Sequence, residues 1–254
     1  MISKYADKNT LIFSITGMSN VTGFIPDLRK IIDELRSINK DMIIVVDATQ
    51  LIAHRKIDVK EMDADFVAFS AHKLYGPTGV GVLYGKKSML EKMEPFSYGG
   101  GMINKVELYD SNWAELPDKF EAGTIDTPGI VASAEAIKYV DEKFEFTVKY
   151  EDMLKEYALK KLREIKELKV IGHNEGANFG PVISFIVDGV HPHDLAAICN
   201  EKKVCIRAGH HCCQPLMGKL CVVATSRMSI GMYNTRNDID NLTDAINHAI
   251  KVIR

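Results

Sequence analysis

No run in this 254-residue chain approaches the roughly 20 consecutive apolar residues that span a bilayer. The first residues, Met-Ile-Ser-Lys-Tyr-Ala-Asp-Lys, contain no apolar h-region and no cleavage site. A secretory signal is therefore not expected, and the cytoplasm is the default compartment. There is no basic block either. The 32 Lys and Arg are mixed along the chain with 34 Asp and Glu, for a formal charge of −2. That balance gives no support to nucleic-acid or membrane-surface binding. Internal repeats and low-complexity segments are absent. Cysteine is missing until Cys199, after which Cys199, Cys205, Cys212, Cys213 and Cys221 crowd into one short stretch. An odd, clustered set in a protein expected in the cytosol argues against a disulfide framework and for a reactive thiol or a metal.

What is present suits a soluble globular protein with a sizeable core: 46% hydrophobic and 26% charged residues. Leu11–Thr16 is a short β-branched and apolar run that predicts a buried strand. Pro26 opens a helix whose Leu28, Ile31, Ile32, Leu35 and Ile38 fall at helical spacing. Met42–Val46 is a continuous apolar run ending at Asp47, and Asp65–Phe69 is another ending at Ser70, with a third at Gly79–Tyr84. Continuous strands alternating with a helix predict an α/β fold with a largely parallel sheet covered on both faces. From Gly129 the texture changes to helices at Ile130–Val140 and Thr147–Leu168. Strands follow at Leu168–Ile171, Pro181–Val187, Val204–Ile206 and Met228–Met232, and a helix closes the chain near Asn237–Val252. This predicts a smaller α+β domain, with the boundary near residue 135: 1–135 in the large domain and 136–254 in the small one.

In such sheets ligands sit beyond the carboxyl ends of the strands. Asp47 and Lys73 both stand at such ends. A carboxylate and an amine converging on one crevice suit pyridoxal 5'-phosphate: the lysine forms an imine with its aldehyde, and the aspartate keeps the ring nitrogen protonated. Taken singly, Asp47 reads as a helix or turn cap and Lys73 as a solvated loop lysine. Their surroundings argue otherwise. Lys73 is flanked by Ser70 and His72, both able to hold a phosphate, and by the turn Gly-Pro-Thr-Gly.

The segment Ser-Ala-His-Lys-Leu-Tyr-Gly-Pro-Thr-Gly-Val-Gly-Val-Leu-Tyr-Gly closely resembles the lysine segment of cysteine desulfurases in the class V aminotransferase superfamily. Phe-Glu-Ala-Gly-Thr-Ile-Asp-Thr-Pro (120–128) and Met-Tyr-Asn-Thr (232–235) are similar to the same family. The resemblance runs over nearly all of residues 10–250. It implies the fold type I architecture of pyridoxal-phosphate enzymes, with Asp47 on the pyridine nitrogen and Gln50 on the ring hydroxyl. Ser70 and His72 would bind the phosphate, and Asn20 would approach cofactor or substrate. Thr124 would reach the phosphate of a neighbouring subunit, which implies a homodimer.

Arg207-Ala-Gly-His-His-Cys-Cys-Gln-Pro-Leu216 is the densest reactive segment. Zinc sites usually use spaced pairs of ligands, and His-His-Cys-Cys has no such spacing, so no metal is expected. A buried, inert thiol suits Cys199, Cys205 and Cys221 better than Cys212, whose neighbours Arg207, His210 and His211 favour a thiolate. Arg-x-Gly-His-His-Cys resembles the group II, SUF-type branch, which implies that Cys212 takes sulfur from L-cysteine as a persulfide. The role of Cys213 stays open. Arg227, fifteen residues on, would clamp the substrate carboxylate with Arg207 nearby, because a guanidinium fork binds carboxylates in bidentate fashion. His193 matches a histidine that engages a zinc-bearing, SUF-type sulfur acceptor in some relatives.

The resemblance implies a cysteine desulfurase that yields L-alanine and supplies sulfur for iron–sulfur cluster assembly. A selenocysteine lyase or other class V lyase is the enzyme alternative, and a fragment serving as a binding or dimerisation module is the non-enzyme one. Because the match begins partway into the family's large domain, a partner chain supplying the N-terminal part, or a truncated product, is also expected.

Overall fold

The computed structural model describes residues 2–253, Ser3 without its side chain. The chain divides into two compact units. One takes Met1–Ile15, Leu28–Thr49 and Ile57–Glu142; the other takes Thr16–Asp27, Gln50–Lys56 and Lys143–Arg254.

The first unit is built on a four-stranded sheet in the order β1-β2-β3-β4 (Ile12–Thr16, Ile43–Asp47, Phe66–Ser70, Gly81–Gly85). Strands β2 and β3 are parallel, with Asp47 opposite Ala68. Strand β4 returns antiparallel, with Ser70 opposite Gly81. The run Ile43-Ile44-Val45-Val46 favours strand because branched side chains pack well on a pleated, buried surface. Helix α1 (Leu28–Ile38) buries Leu28, Ile32 and Leu35, a stripe at three- and four-residue spacing. Buried Asp65, just before β3, accepts from Ile44 N at 2.8 Å and Arg36 Nη2 at 2.7 Å, and pairs with Lys86 Nζ at 3.1 Å. Burial pushes this carboxyl up, but the Ile44 N–H, Arg36 and Lys86 outweigh it and hold the group below the usual carboxylate range. One-turn helices α2 (Val59–Met62) and α3 (Lys87–Leu90) and the hairpin β5 (Ile103–Val106) and β6 (Ser111–Trp113) complete this part.

Helix α4 runs unbroken from Thr127 to Arg163, 37 residues. The sequence suggests two helices here, separated by residues 141–146. The intervening Asp-Glu-Lys-Phe-Glu-Phe contains neither Gly nor Pro, so nothing interrupts the hydrogen-bond ladder.

The second unit carries an antiparallel sheet in the order β7-β8-β10-β9 (Leu168–Ile171, Val182–Val187, Thr225–Ser229, Arg207–Gly209). Helices α5 (Pro192–Glu201) and α7 (Arg236–Ile253) supply Leu195, Leu242 and Ile246 to its core, against Ile183 and Phe185 of β8. Each such fully buried side chain contributes about 1.5–3 kcal/mol. The strand expected at Val204–Ile206 lies instead at Arg207–Gly209. Val204 and Ile206 pack partly buried against this core, while the pairing with β10 begins at Arg207. The strand expected at Met228–Met232 is likewise shifted to Thr225–Ser229. A short helix α6 (Gln214–Lys219) links β9 to β10.

Candidate active site

In the first unit, Asp47 is the last residue of β2, and Ser70 is the last of its parallel neighbour β3. Lys73 lies in the single 3-10 turn Ala71–Leu74 that follows Ser70 directly. Parallel pairing therefore brings Asp47, Ser70, His72 and Lys73 to one carboxyl edge of the sheet. Asp47 Oδ1 accepts from Thr49 N at 2.9 Å, which fixes the carboxylate at the strand tip while leaving it exposed. The 3-10 turn closes at Tyr75, which takes a left-handed φ of 60°. Half-buried Lys73 and exposed His72 stand on this turn. A carboxylate, an amine, a hydroxyl and an imidazole along one edge fit the ring nitrogen, aldehyde and phosphate of pyridoxal phosphate. Thr124 is exposed in the same unit, in the loop before α4.

Gln50 follows Asp47 by three residues but belongs to the segment Gln50–Lys56, which packs with the second unit. Two pairs tether that segment to α4: His54 Nδ1 to Glu151 Oε2 at 2.8 Å, buried, and Arg55 to Asp152 at 2.8 Å. His54 and Glu151 carried no recognisable signal in the sequence, since the partners are 97 residues apart.

The second unit assembles the remaining candidates on one face of β9 and β10. Arg207 and Arg227 are direct cross-strand partners. Like charges directly opposite in a sheet are destabilising, so this pair is a cost that an anion between the two would offset. Burial and the neighbouring Arg207 lower the proton affinity of Arg227, and the Cys212 thiol partly restores it. The Nε of Arg227 is buried without a hydrogen-bond partner among the described residues. Arg227 Nη1 donates to Asn20 O at 2.8 Å, and Asn20 Nδ2 donates to His211 O at 2.6 Å. Cys212 is exposed, with its Sγ 3.6 Å from Arg207 Nη2.

Cys212 is presented by a tight turn. Cys213 N donates to His210 O at 2.9 Å, and the two central residues, His211 and Cys212, both take left-handed φ values of 54° and 59°. This is the pattern of a type I′ turn, normally filled by Asn and Gly. Two consecutive non-glycine residues there store about 1–3 kcal/mol each, and such strain persists only where the surroundings hold it. The holding groups are visible. The buried His211 ring places Nε2 2.9 Å from Thr225 Oγ1 and 3.2 Å from Thr225 O, while its backbone O is held by Asn20. Burial, then Arg227 and Arg207, push this imidazole down to about 4, so it is neutral near pH 7. Sequence reading weighed His211 only as a charge near the thiol. The pinning by Thr225 was hidden in a pairing fourteen residues away.

His193 is exposed, and its Nε2 lies 3.9 Å from where a Cβ on Gly209 would stand, which places it beside the same strand. Cys213 is half-buried next to Cys212. Cys199 is fully buried, and burial pushes its thiol up to about 11, as suits an inert core residue. Cys205 and Cys221 are exposed, contrary to the buried role expected for them. Cys205 follows α5 on the connection to β9, and Cys221 follows α6, where the chain turns at the surface. No three His, Cys, Asp or Glu side chains are grouped to hold a metal ion among the described residues. Nor, among them, is any helix long and apolar enough to cross a membrane.

The sequence pattern of the family described as "Aminotransferase class-V" matches residues 1–242. The chain is 43% identical over 246 residues to a probable cysteine desulfurase of Halalkalibacterium halodurans, covering 96% of this chain and 59% of that protein. It is 43% identical over 244 residues to a cysteine desulfurase of Haloferax volcanii, covering 96% and 57%. The crystal structure of the cysteine desulfurase CsdA of Escherichia coli superposes with a TM-score of 0.92 at 33% identity, over 100% of this chain and 62% of that one. The chain thus spans between about half and three fifths of the length of the curated relatives it matches.

Proposed function

The chain belongs to the class-V aminotransferase family, and from that premise we propose that it carries the lysine and the nucleophilic thiol of a cysteine desulfurase. The reaction would convert L-cysteine to L-alanine and leave the sulfur as a persulfide on Cys212. The observation that carries this reading is the cross-strand pair Arg207–Arg227, with the Cys212 thiol 3.6 Å from one of them. An anion-demanding pair beside a strained, exposed thiol suits an anionic substrate brought to that thiol.

The residues present fit pyridoxal phosphate, which when bound draws electron density from the bonds around the substrate α-carbon. Lys73 would hold the cofactor covalently through Nζ, then release it to the substrate amine and move the α-proton. Asp47 would accept the hydrogen bond of the protonated ring nitrogen, and Gln50 would meet the ring hydroxyl. Ser70 and His72 would donate to the phosphate, and Thr124 to that of a second subunit in a homodimer. Arg227, through its unpartnered Nε, would grip the substrate carboxylate. Asn20 would line the same site. Arg207, 3.6 Å from Cys212 Sγ, would hold that thiol beside the substrate. That thiolate attacks the substrate sulfur: a sulfur–sulfur bond forms, the carbon–sulfur bond breaks, and its electron pair stays with the three-carbon product. The persulfide would pass to a SUF-type acceptor docking near His193, for iron–sulfur cluster assembly in the cytoplasm.

The test is mass spectrometry of the purified chain. Borohydride reduction after incubation with pyridoxal phosphate should fix a pyridoxyl group on the peptide bearing Lys73. Added L-cysteine should then leave one extra sulfur atom on the peptide bearing Cys212, and Cys212→Ser should abolish that gain while the Lys73 adduct persists. Sulfur on any other cysteine, or an adduct on another lysine, would overturn the assignments.

A further inference from the structure

The geometry points to His211 as a positioning residue: its ring, anchored on Thr225, and its backbone carbonyl, held by Asn20, keep the turn His210–Cys213 in its left-handed form and the Cys212 thiol against Arg207. This rests on the reading of Cys212 as the nucleophile and adds to it the device that aims the thiol. Three hydrogen-bonded links and the backbone of β10 form a closed circuit. Arg227 Nη1 holds Asn20 O at 2.8 Å, and Asn20 Nδ2 holds His211 O at 2.6 Å. His211 Nε2 holds Thr225. Thr225 returns to Arg227 two residues along β10. The carboxylate clamp and the nucleophile turn are therefore fastened to each other at both ends.

The tautomer follows from the partners. The carbonyl of Thr225 can only accept, so Nε2 carries the proton and donates. Burial and the two arginines keep the ring neutral, which leaves Nδ1 with a bare lone pair. That Nδ1 is buried with no hydrogen-bond partner among the described residues. Among the described residues the ring is therefore held through Nε2 alone. Its backbone tells the same story, because a histidine at φ 54° followed by a cysteine at φ 59° relaxes unless pinned.

The chain contains its own controls, so the test needs neither cofactor nor turnover. Alkylation by anionic iodoacetate and by neutral iodoacetamide is followed peptide by peptide. The rate ratio of the two reagents reports how closely each thiol lies to positive charge. Exposed Cys205 and Cys221 supply the reference ratio, and buried Cys199 stays unmodified as long as the fold is intact. Wild-type Cys212, beside Arg207 and Arg227, should show the highest ratio. His211→Gly removes the ring yet tolerates positive φ, so it separates the anchor from the strain. Its Cys212 ratio should fall about tenfold toward that of Cys205, because the anionic reagent loses the attraction of one close cation. His211→Gln places an amide N–H about where Nε2 stands and so keeps a donor for Thr225, and should recover most of the loss. Should His211→Gly expose Cys199, Thr225→Val decides instead: it keeps the carbonyl but deletes the hydroxyl, and the ratio should fall by a smaller factor. An unchanged ratio in His211→Gly with Cys199 protected, or in Thr225→Val where the glycine variant unfolds, overturns the assignment. Failure of sulfur transfer from L-cysteine, with the alkylation pattern as described, would instead sink the desulfurase reading and leave this one standing.

Discussion

Lys73 reaches its place three residues after β3 ends, inside one 3-10 turn, and Asp47 is simply the last residue of β2. Cys212 reaches its place through bonds between residues far apart in the chain, Asn20 to His211 across 191 positions and Arg227 to Asn20 across 207. The lysine edge is assembled by strand termination, with Asp47 and His72 exposed and Ser70 and Lys73 half-buried. The thiol face is assembled by long-range hydrogen bonds, a strained turn and buried unpartnered atoms. The contrast has a chemical rationale. On the proposed reading, a lysine on a flexible four-carbon stem would tolerate a loosely set backbone, because a covalent bond to the aldehyde would fix its end. A thiol proposed to meet a substrate sulfur would have one short bond of reach, so the backbone beneath it would be set in advance.

If that contrast holds, the two regions fail differently. Lys73→Ala should produce the largest effect, because no neighbouring group replaces a covalent amine. Pyridoxyl fixation by borohydride should vanish from the Ser70–Gly85 peptide. Alanine formation from L-cysteine should fall by about a thousandfold or more. The variant should remain folded, since Lys73 is only half-buried on its turn. A variant that unfolds, or that retains a large share of alanine formation, would break the comparison.

The same contrast governs what the sequence disclosed. The strand tips carrying Asp47 and Lys73 were legible because a continuous apolar run followed by a polar residue is a local signal. So were α1 and the closing helix, whose stripes repeat at helical spacing. The unbroken α4 was not, because a charged stretch without Gly or Pro between two apolar stripes has no local mark of continuity. Strand β9 was placed three residues early, since hydrophobicity marks Val204 and Ile206 while the ladder to β10 is set by register. The Arg207–Arg227 pairing, the His54–Glu151 tether and the His211 anchor all depend on that register or on distant segments. No single window of sequence contains them.

Arg227→Lys sharpens the thiol side. A lysine keeps the charge but loses the planar fork and the Nε donor, so the substrate carboxylate loses bidentate recognition. The value of kcat/KM for L-cysteine should drop about a hundredfold, mostly through KM, which corresponds to about 2–3 kcal/mol. The Lys73 adduct should form as in wild type. The circuit through Asn20 also loses its Nη1 donor, so Cys212 should show a reduced iodoacetate preference as well. An Arg227→Lys chain with unchanged KM would mean that the carboxylate is held elsewhere.

The smallest effect concerns acid, and it sets the two units against each other. In the first unit, Asp65 has a folded pKa below its ordinary value, so its stabilisation is present above pH 3.8 and is lost as the pH falls further. In the second unit, His211 is also shifted down, from 6.5 to about 4, but for a base the consequence begins earlier. The unfolded chain takes up a proton below pH 6.5 that the folded ring refuses, so folding weakens steadily between pH 6.5 and about 4. After allowance for relaxation of the site, the loss is about 1–2 kcal/mol. His173, pushed down chiefly by burial, acts in the same direction and in the same unit. Hydrogen exchange across an acid titration should therefore show β9 and β10 losing protection before β2 and β3. His211→Asn, which has no titrating ring, should bring the two sheets closer together. Simultaneous loss in the wild type, or earlier loss in β2 and β3, would show that the buried imidazole does not govern the acid limit of its unit.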